Sequence, residues 1–301
     1  MNGEMMGEFI KRFNDYSCIE KNDTSTITYL SHYTSTAAAV KNICSGELRA
    51  TDIKDFGDKL EGRLILKGVK KIILKENIFS EVQKGYVYNL IGDDNRIDEF
   101  IRQCRTSVLS MCLNTDSKYL WDNYARKDGY NIIFYKNALV DSIYFYTADG
   151  QRKNKEYIKH APIVYNADEQ IKIIKKEIGE LMEKNEPEFH DAEKIKYILR
   201  HLMYIGNFYK DGTDFKNRYK DEQEYRFLIN TAAPLKDNSN ITDKIPEYCH
   251  NLKNGQRYNI LKFDKKAIKA IVCSSQRAID NITNIITDIP ITLNYSSSCG
   301  E

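Results

Sequence analysis

Thr26-Ile27-Thr28-Tyr29-Leu30 runs straight into Ser31-His32-Tyr33-Thr34-Ser35, after which Ala39, Val40 and Ile43 recur at helical spacing up to Gly46. β-Branched and aromatic residues predict a strand over 26–30, closed by the polar turn 31–35. Ser35 or Thr36 offers the side-chain oxygen that caps a helix over 36–45, and Gly46 offers its stop. Leu48-Arg49-Ala50 then reads as a short strand. A strand, a helix and another strand within residues 26–50 place the chain in a mixed class, α+β.

The pattern extends in both directions. Upstream, residues 6–16 predict an amphipathic helix with Phe9, Ile10 and Phe13 on one side. Downstream, helices are expected over 64–84 and 96–104. Strands are expected over 107–113, 130–135, 142–146, 161–165, 224–229 and 270–273. Trp121 to Ala125 predicts a helical turn broken by Gly129. Between 166 and 208 the period becomes helical, with Ile171, Ile174, Ile178, Leu181 and Met182 in one set and Ile195, Ile198, Leu199, Leu202 and Met203 in another. Pro187 separates them, so the segment is expected to be an antiparallel helical hairpin inserted into a mainly β framework. Residues 235–256 are polar and loop-like. With 5 prolines and no linker-like run, residues 1–301 are expected to form one continuous domain.

Composition removes several function classes. The 301 residues are 42% hydrophobic and 29% charged, an ordinary globular balance. Net charge is +2, a balance that does not demand a nucleic-acid or membrane partner; local groups such as Lys67, Lys70 and Lys71, or Lys265 and Lys266, read as solvated faces before basic patches. The abundance of Lys, Asn, Ile and Tyr points to an AT-rich bacterial or phage genome. Seven scattered cysteines without a C-x-x-C pair argue against a disulfide scaffold and a zinc site. The start Met1-Asn2-Gly3-Glu4 lacks the features of a signal peptide, and no apolar stretch is long enough to span a bilayer. The expected location is the cytoplasm, with no membrane partner. Phosphate-binding, dinucleotide-binding, H-E-x-x-H and G-x-S-x-G motifs do not occur.

Three signatures remain. The first is Ser31-His32-Tyr33-Thr34-Ser35 followed by a helix and Gly46-Glu47-Leu48-Arg49. The second is Cys112-Leu113-Asn114, Leu120-Trp121, Tyr124-Ala125 and Gly129. The third is Glu222-Gln223-Glu224-Tyr225-Arg226 at the head of a strand. Strand periodicity sets Glu222 and Glu224 on one face, where two carboxylates can share a cleft or can pair with Arg226 as a solvated edge. His32 suits a ligand contact, with core packing as its other role. Packing is also the other role of Tyr33, and helix capping that of Thr34 and Ser35. Trp121, the single tryptophan, is a core anchor or a stacking surface, and Tyr124 is balanced between the same two roles. Asp58 and Glu61 suit helix capping more than an acidic metal loop. His160, His190, His201 and His250 lack partner spacing and are expected to be surface or packing residues.

The ordered series resembles an uncharacterised bacterial family of unknown function marked by His-Tyr-Thr-Ser, Phe-Asn-Asp-Pro-x-Glu, Leu-Trp-x-x-Tyr-Ala and Glu-x-Glu-Tyr-Arg. The second motif aligns with Phe56-Gly57-Asp58-Lys59-Leu60-Glu61, where Gly57 and Lys59 depart from it. The resemblance runs over roughly residues 28–275 given ordinary boundary error. More distantly, the chain is similar to the ADP-ribosyltransferase superfamily. That similarity implies a split β-sheet core with flanking helices and NAD as substrate. It implies catalytic roles for Glu224, Glu222 and His32, and NAD contacts from His32, Tyr33, Thr34, Ser35, Arg49, Trp121 and Tyr124. It further implies an NAD-consuming transferase or glycohydrolase, of a kind used as toxins or antiviral defence effectors, with no metal. The acceptor is left open among protein, nucleic acid, small molecule and water, and a regulatory protein partner is a further expectation. The rival expectation is a non-catalytic nucleotide- or nucleic-acid-binding module acting through a partner. A metal-dependent nuclease built on Asp58, Glu61 and Glu224 ranks third.

Overall fold

The computed structural model describes residues 26–55, 63–75, 79–103, 106–146, 150–183, 191–210, 219–230, 257–284, 286 and 292–295. The helix expected over 6–16, the loop 56–61, Pro187, His190, His250 and the stretch 235–256 lie outside them.

The chain alternates elements in the order β1 (Tyr29–Thr34), α1 (Ala37–Cys44), β2 (Glu47–Asp52), α2 (Arg63–Lys75), α3 (Glu81–Ile91), α4 (Asp94–Gln103) and β3 (Thr106–Cys112). After a helical turn at 118–125 come β4 (Tyr130–Tyr135), α5 (Lys136–Ser142), the two-residue strands β5 (Phe145–Tyr146) and β6 (Arg152–Lys153), and β7 (Ile158–Pro162). Next are the helical hairpin α6 (Ala167–Glu183) and α7 (Asp191–Gly206), then β8 (Glu224–Asn230), β9 (Tyr258–Lys262), β10 (Ile268–Cys273), α8 (Gln276–Thr283) and β11 (Thr292–Tyr295).

Among the described residues nine strands share one sheet, and β5 and β6 form a separate pair. The sheet is antiparallel except where β11 joins β10. Its continuity depends on β3. On one edge β3 pairs β8 along its whole length, from Thr106↔Asn230 to Cys112↔Glu224. On the other edge it meets two strands that diverge. β2 joins through Thr51↔Val108 and Asp52↔Ser107, and β1 through the single pair Ser31↔Cys112. One half therefore runs β1-β4-β10-β11 and the other β9-β2-β3-β8-β7, and the two part at Ser110. The molecule is an α+β fold built on a split, mostly antiparallel sheet.

Two apolar cores flank this sheet. Leu30, Met111, Ile132, Phe134, Tyr225 and Phe227 pack on one face with Val40 and Ile43 of α1 and Ile282 of α8. On the other face, Val108 and Leu228 meet α2, α3, α4, α6 and α7 through Leu66, Val87, Phe100, Ile178 and Leu202. The hairpin α6–α7 thus shares its core with three earlier helices rather than standing apart. Burial of this apolar area drives both layers. Among the described residues no helix is long and apolar enough to cross a membrane.

Several expected boundaries shift. β1 continues through Thr34 because β4 pairs it residue for residue, Tyr29↔Tyr135 to Thr34↔Tyr130, and that ladder outweighs the polar side chains of Ser31 and His32. The stretch 64–84 is not one helix: Ser80 starts α3 with a capping box, its hydroxyl accepting from Gln83 N while the Gln83 side-chain oxygen accepts from Ser80 N. α5, β9 and α8 were not anticipated by periodicity.

Candidate functional site

The third signature folds as a turn, a kink and a strand. Tyr219–Glu222 form a 3-10 turn, and Gln223 takes a left-handed φ of 44° before Glu224 opens β8. Side chains rarely hold that conformation, which costs on the order of 1–3 kcal/mol unless surrounding bonds fix it. Here the Gln223 carbonyl accepts from Leu113 N at 2.9 Å. Glu222 and Glu224 end up side by side through this kink and not by strand alternation.

Their carboxylates share one cation. Lys210, just beyond α7, places Nζ 2.7 Å from Glu222 Oε2 and 2.8 Å from Glu224 Oε2. Arg226, fully buried, grips Glu224 with two parallel bonds, Nε to Oε1 at 2.7 Å and an Nη to Oε2 at 3.1 Å. Its other Nη donates to the Asn207 carbonyl at 2.7 Å. Burial alone would push the Glu224 carboxyl up, but Arg226 and Lys210 overcome it and hold the group at about 2. The Glu224 backbone N–H donates to the Tyr165 hydroxyl at 3.1 Å. Glu222 and Glu224 are thus buried side by side against two cations, Lys210 and Arg226.

Tyr124 covers the cluster. Lys118–Leu120 begins as α-helix and widens to a π-turn over Trp121–Ala125, closed by Arg126 N donating to Trp121 O at 2.6 Å. The extra residue in a π-turn re-aims side chains, and such turns recur at functional sites. Tyr124 donates its hydroxyl to Glu222 Oε1 at 2.5 Å while the residue as a whole stays 47% exposed. Burial, then the negative charge of Glu222, raises its phenol far above the ordinary value. Cys112, opposite Glu224 in register, is also raised, first by burial and then by the two carboxylates.

The other sequence-derived residues lie around this centre at different depths. Trp121 is buried; its indole N–H donates to Asp116 at 3.1 Å and its ring meets Tyr33 edge-on, centroids 5.3 Å apart. Tyr33 accepts from Ser117 N and donates to Asn114 O, tying β1 to the loop that carries Tyr124. Thr34 ends β1, Ser35 is exposed, and it is Thr36 that caps α1 by accepting from Ala39 N. Arg49 is exposed on β2, its guanidinium 4.7 Å from the Tyr258 ring centroid.

His32 belongs to the split rather than to the carboxylates. Register sets Ser31 on the face of Cys112 and Glu224, so alternation turns His32 to the opposite face. Its Nδ1–H donates to the Ser110 carbonyl at 3.3 Å, at the position on β3 between its pairings with β1 and β2. Burial lowers its basicity, against the Ser110 carbonyl, so the ring is neutral and Nε2 keeps its lone pair. The structure therefore gathers Glu222, Glu224 and Tyr124, and leaves His32 and Arg49 along the parting of the half-sheets.

Lys210, Arg226 in its gripping role and Tyr165 were missed by sequence reasoning. Arg226 carried a signal, two residues after Glu224; Lys210 carried none, being one lysine among many after an apolar helix. Among the described residues no group of three His, Cys, Asp or Glu could hold a metal ion, and Asp58 and Glu61 lie outside those residues.

No curated protein and no solved structure matches the chain. A family model described as "Protein of unknown function (DUF2971)" matches residues 120–227, a span that includes Trp121, Tyr124, Lys210, Glu222, Glu224 and Arg226 and leaves out His32 and Arg49. An uncharacterised domain of that description is thus found where the carboxylate cluster is assembled.

Proposed function

We propose that the chain consumes NAD, as an ADP-ribosyltransferase or NAD glycohydrolase acting as a toxin or antiviral defence effector in the bacterial cytoplasm. The observation that carries this reading is the exposed ring of Tyr124, tethered by its hydroxyl to Glu222 beside the ionised Glu224. A flat aromatic face suits nicotinamide stacking, and the adjoining carboxylate oxygens suit the cationic sugar that forms as nicotinamide departs. The split sheet agrees with the ADP-ribosyltransferase-like core that the sequence resemblance implies.

In this mechanism the bond from nicotinamide nitrogen to the ribose carbon breaks, and its electron pair leaves with nicotinamide. Glu224, kept ionised by Arg226 and Lys210, stabilises the positive charge left on the sugar. Glu222 accepts the proton of the attacking acceptor, protein, nucleic acid or water, once Tyr124 yields its bond. With NAD lying across the parting of the half-sheets, the neutral Nε2 of His32 accepts a ribose hydroxyl from the face opposite Glu224, and the Arg49 guanidinium answers the pyrophosphate charge. Nicotinamide release from NAD, followed with and without total cell protein and RNA, tests the reading. Glu224→Gln and Tyr124→Ala are each expected to slow it by about 100-fold or more. Release by Glu224→Gln at the wild-type rate, or no release by the wild type under any condition, overturns it.

A second reading rests on a different observation. Both oxygens of Glu224 are engaged by Arg226 and Lys210, as in a structural ion pair. A binding-only module with a regulatory partner would use the same cluster to hold its shape. NAD would then raise the melting temperature without releasing nicotinamide.

A further inference from the structure

The β5–β6 hairpin buries Phe145 against the core on the sheet face that carries Tyr225 and Phe227, opposite the face of Glu224. Its outward side has a different composition. Phe145↔Lys153 and Tyr146↔Arg152 are cross-strand partners, so Tyr146 and Arg152 share the outer face, with Tyr144 two residues before Tyr146. The Arg152 guanidinium lies 3.9 Å from the Tyr144 ring centroid, and Tyr144 meets Tyr146 edge-on at 5.6 Å. Immediately beyond, Lys153 Nζ stands 5.0 Å from the ring centroid of Tyr157. The rings remain accessible, Tyr146 at 48% and Tyr157 at 36%.

Close cation–aromatic pairs occur about once per 70–80 residues, and here two fall within residues 144–157. Arg152 uses Nε on Asn154 Oδ1 at 2.9 Å. Lys155 adds a third cation, held by Asp141 at 2.6 Å. Exposed rings offer stacking surfaces to any base, while stacked guanidinium and ammonium groups answer the phosphates between bases. A duplex would present only phosphates, since its base faces are already stacked. An acidic peptide would use the cations and leave the rings idle.

We infer that the outer face of Tyr144, Tyr146 and Arg152, together with the adjoining Lys153–Tyr157 pair, is a binding platform for single-stranded nucleic acid. It stands apart from the carboxylate cluster and does not rest on NAD chemistry. With Arg152 and Lys153 facing phosphates and Lys155 held by Asp141, the logarithm of affinity should fall against the logarithm of salt with a slope of about −1.4.

Fluorescence anisotropy of the full chain with labelled oligo-U and oligo-dT, each about one platform length, and with a duplex of the same length, tests this. Both single strands are expected to bind at least about tenfold tighter than the duplex. Tyr146→Ala and Arg152→Ala should each weaken binding about tenfold. Tyr88→Ala, an exposed ring elsewhere on α3, should leave it unchanged. Tighter binding of oligo-U than of oligo-dT assigns RNA through its 2′-hydroxyl, and equal binding assigns single strands in general. Equal affinity for the duplex, displacement by polyglutamate as readily as by oligo-U, wild-type affinity in both platform variants, or no saturation up to about 100 μM overturns the proposal.

Discussion

At the scale of single residues, the pairing of Glu224 with Arg226 is both a stabilising contact and a liability. Replacing Arg226 by Met leaves a buried carboxylate with Lys210 alone, and such a loss costs about 3–5 kcal/mol. Replacing Glu224 and Arg226 together by apolar residues should cost clearly less, because neither charge is then stranded. Urea unfolding of the three variants reads this difference; equal losses in the single and double variants would show that the pair is not coupled. The same pair sets a pH dependence. The Glu224 carboxyl is held at about 2, against an ordinary 4.5. Its stabilisation is therefore complete above about pH 4.5 and disappears as pH falls through about 2. Stability measured across that interval should fall more gently in Glu224→Gln than in the wild type. Gln223 shows why sequence alone could not place these groups. Glu-x-Glu at a strand start is readable, but the left-handed φ between the two acids is held by the bond from Leu113 N to the Gln223 carbonyl, a partner distant in sequence.

At the scale of elements, the π-turn that presents Tyr124 depends on the close passage of Gly129. A Cβ there would lie 1.9 Å from the Ala125 carbonyl oxygen, a backbone atom that cannot step aside. Gly129 N also donates to the Ser274 hydroxyl at 2.9 Å, and Ser274 N returns a bond to Gly129 O, so the turn is clamped to the end of β10. Gly129→Ala is expected to destabilise by about 1–3 kcal/mol and to free Tyr124 from Glu222. Denaturant unfolding checks the first effect, and a downward shift of the Tyr124 titration checks the second. Unchanged stability would mean the turn can relax. The strand 130–135 and the Thr36 cap were legible because period and capping chemistry are local. β9 was not: Tyr258-Asn259-Ile260-Leu261-Lys262 is short, follows a long polar stretch and is made a strand by its pairing with β2.

At the scale of the whole molecule, the two cores are not independent, since β3 and β8 each contribute to both: Val108 and Leu228 to one, Met111 and Phe227 to the other. Trp121, the single tryptophan, sits in a third small cluster with Tyr33 and Leu120 beside the split. Loss of either core removes support from the shared strands. Unfolding followed by Trp121 fluorescence and by far-UV circular dichroism should accordingly give superimposable curves. Separate midpoints would mean that the helical layer and the sheet melt on their own. The class, α+β with an inserted-looking hairpin, could be read from periodicity, whereas the hairpin's share in the α2–α4 core could not, because apolar stripes do not name their partners.

The single pair Ser31↔Cys112 that joins the half-sheets has a mechanical meaning. Each half is a stiff plate, cross-braced by ladders of several bonds, and the plates meet on one pin. Bending either plate would break a row of bonds at once, whereas the junction between them has one backbone pair and the His32 strut and is otherwise held by the side chains of the core that both plates share. Along the line through Ser110 the continuity of the sheet therefore passes from backbone hydrogen bonds to packed side chains, and a substitution in the shared core there loosens the join of the two plates more than one on an outer strand.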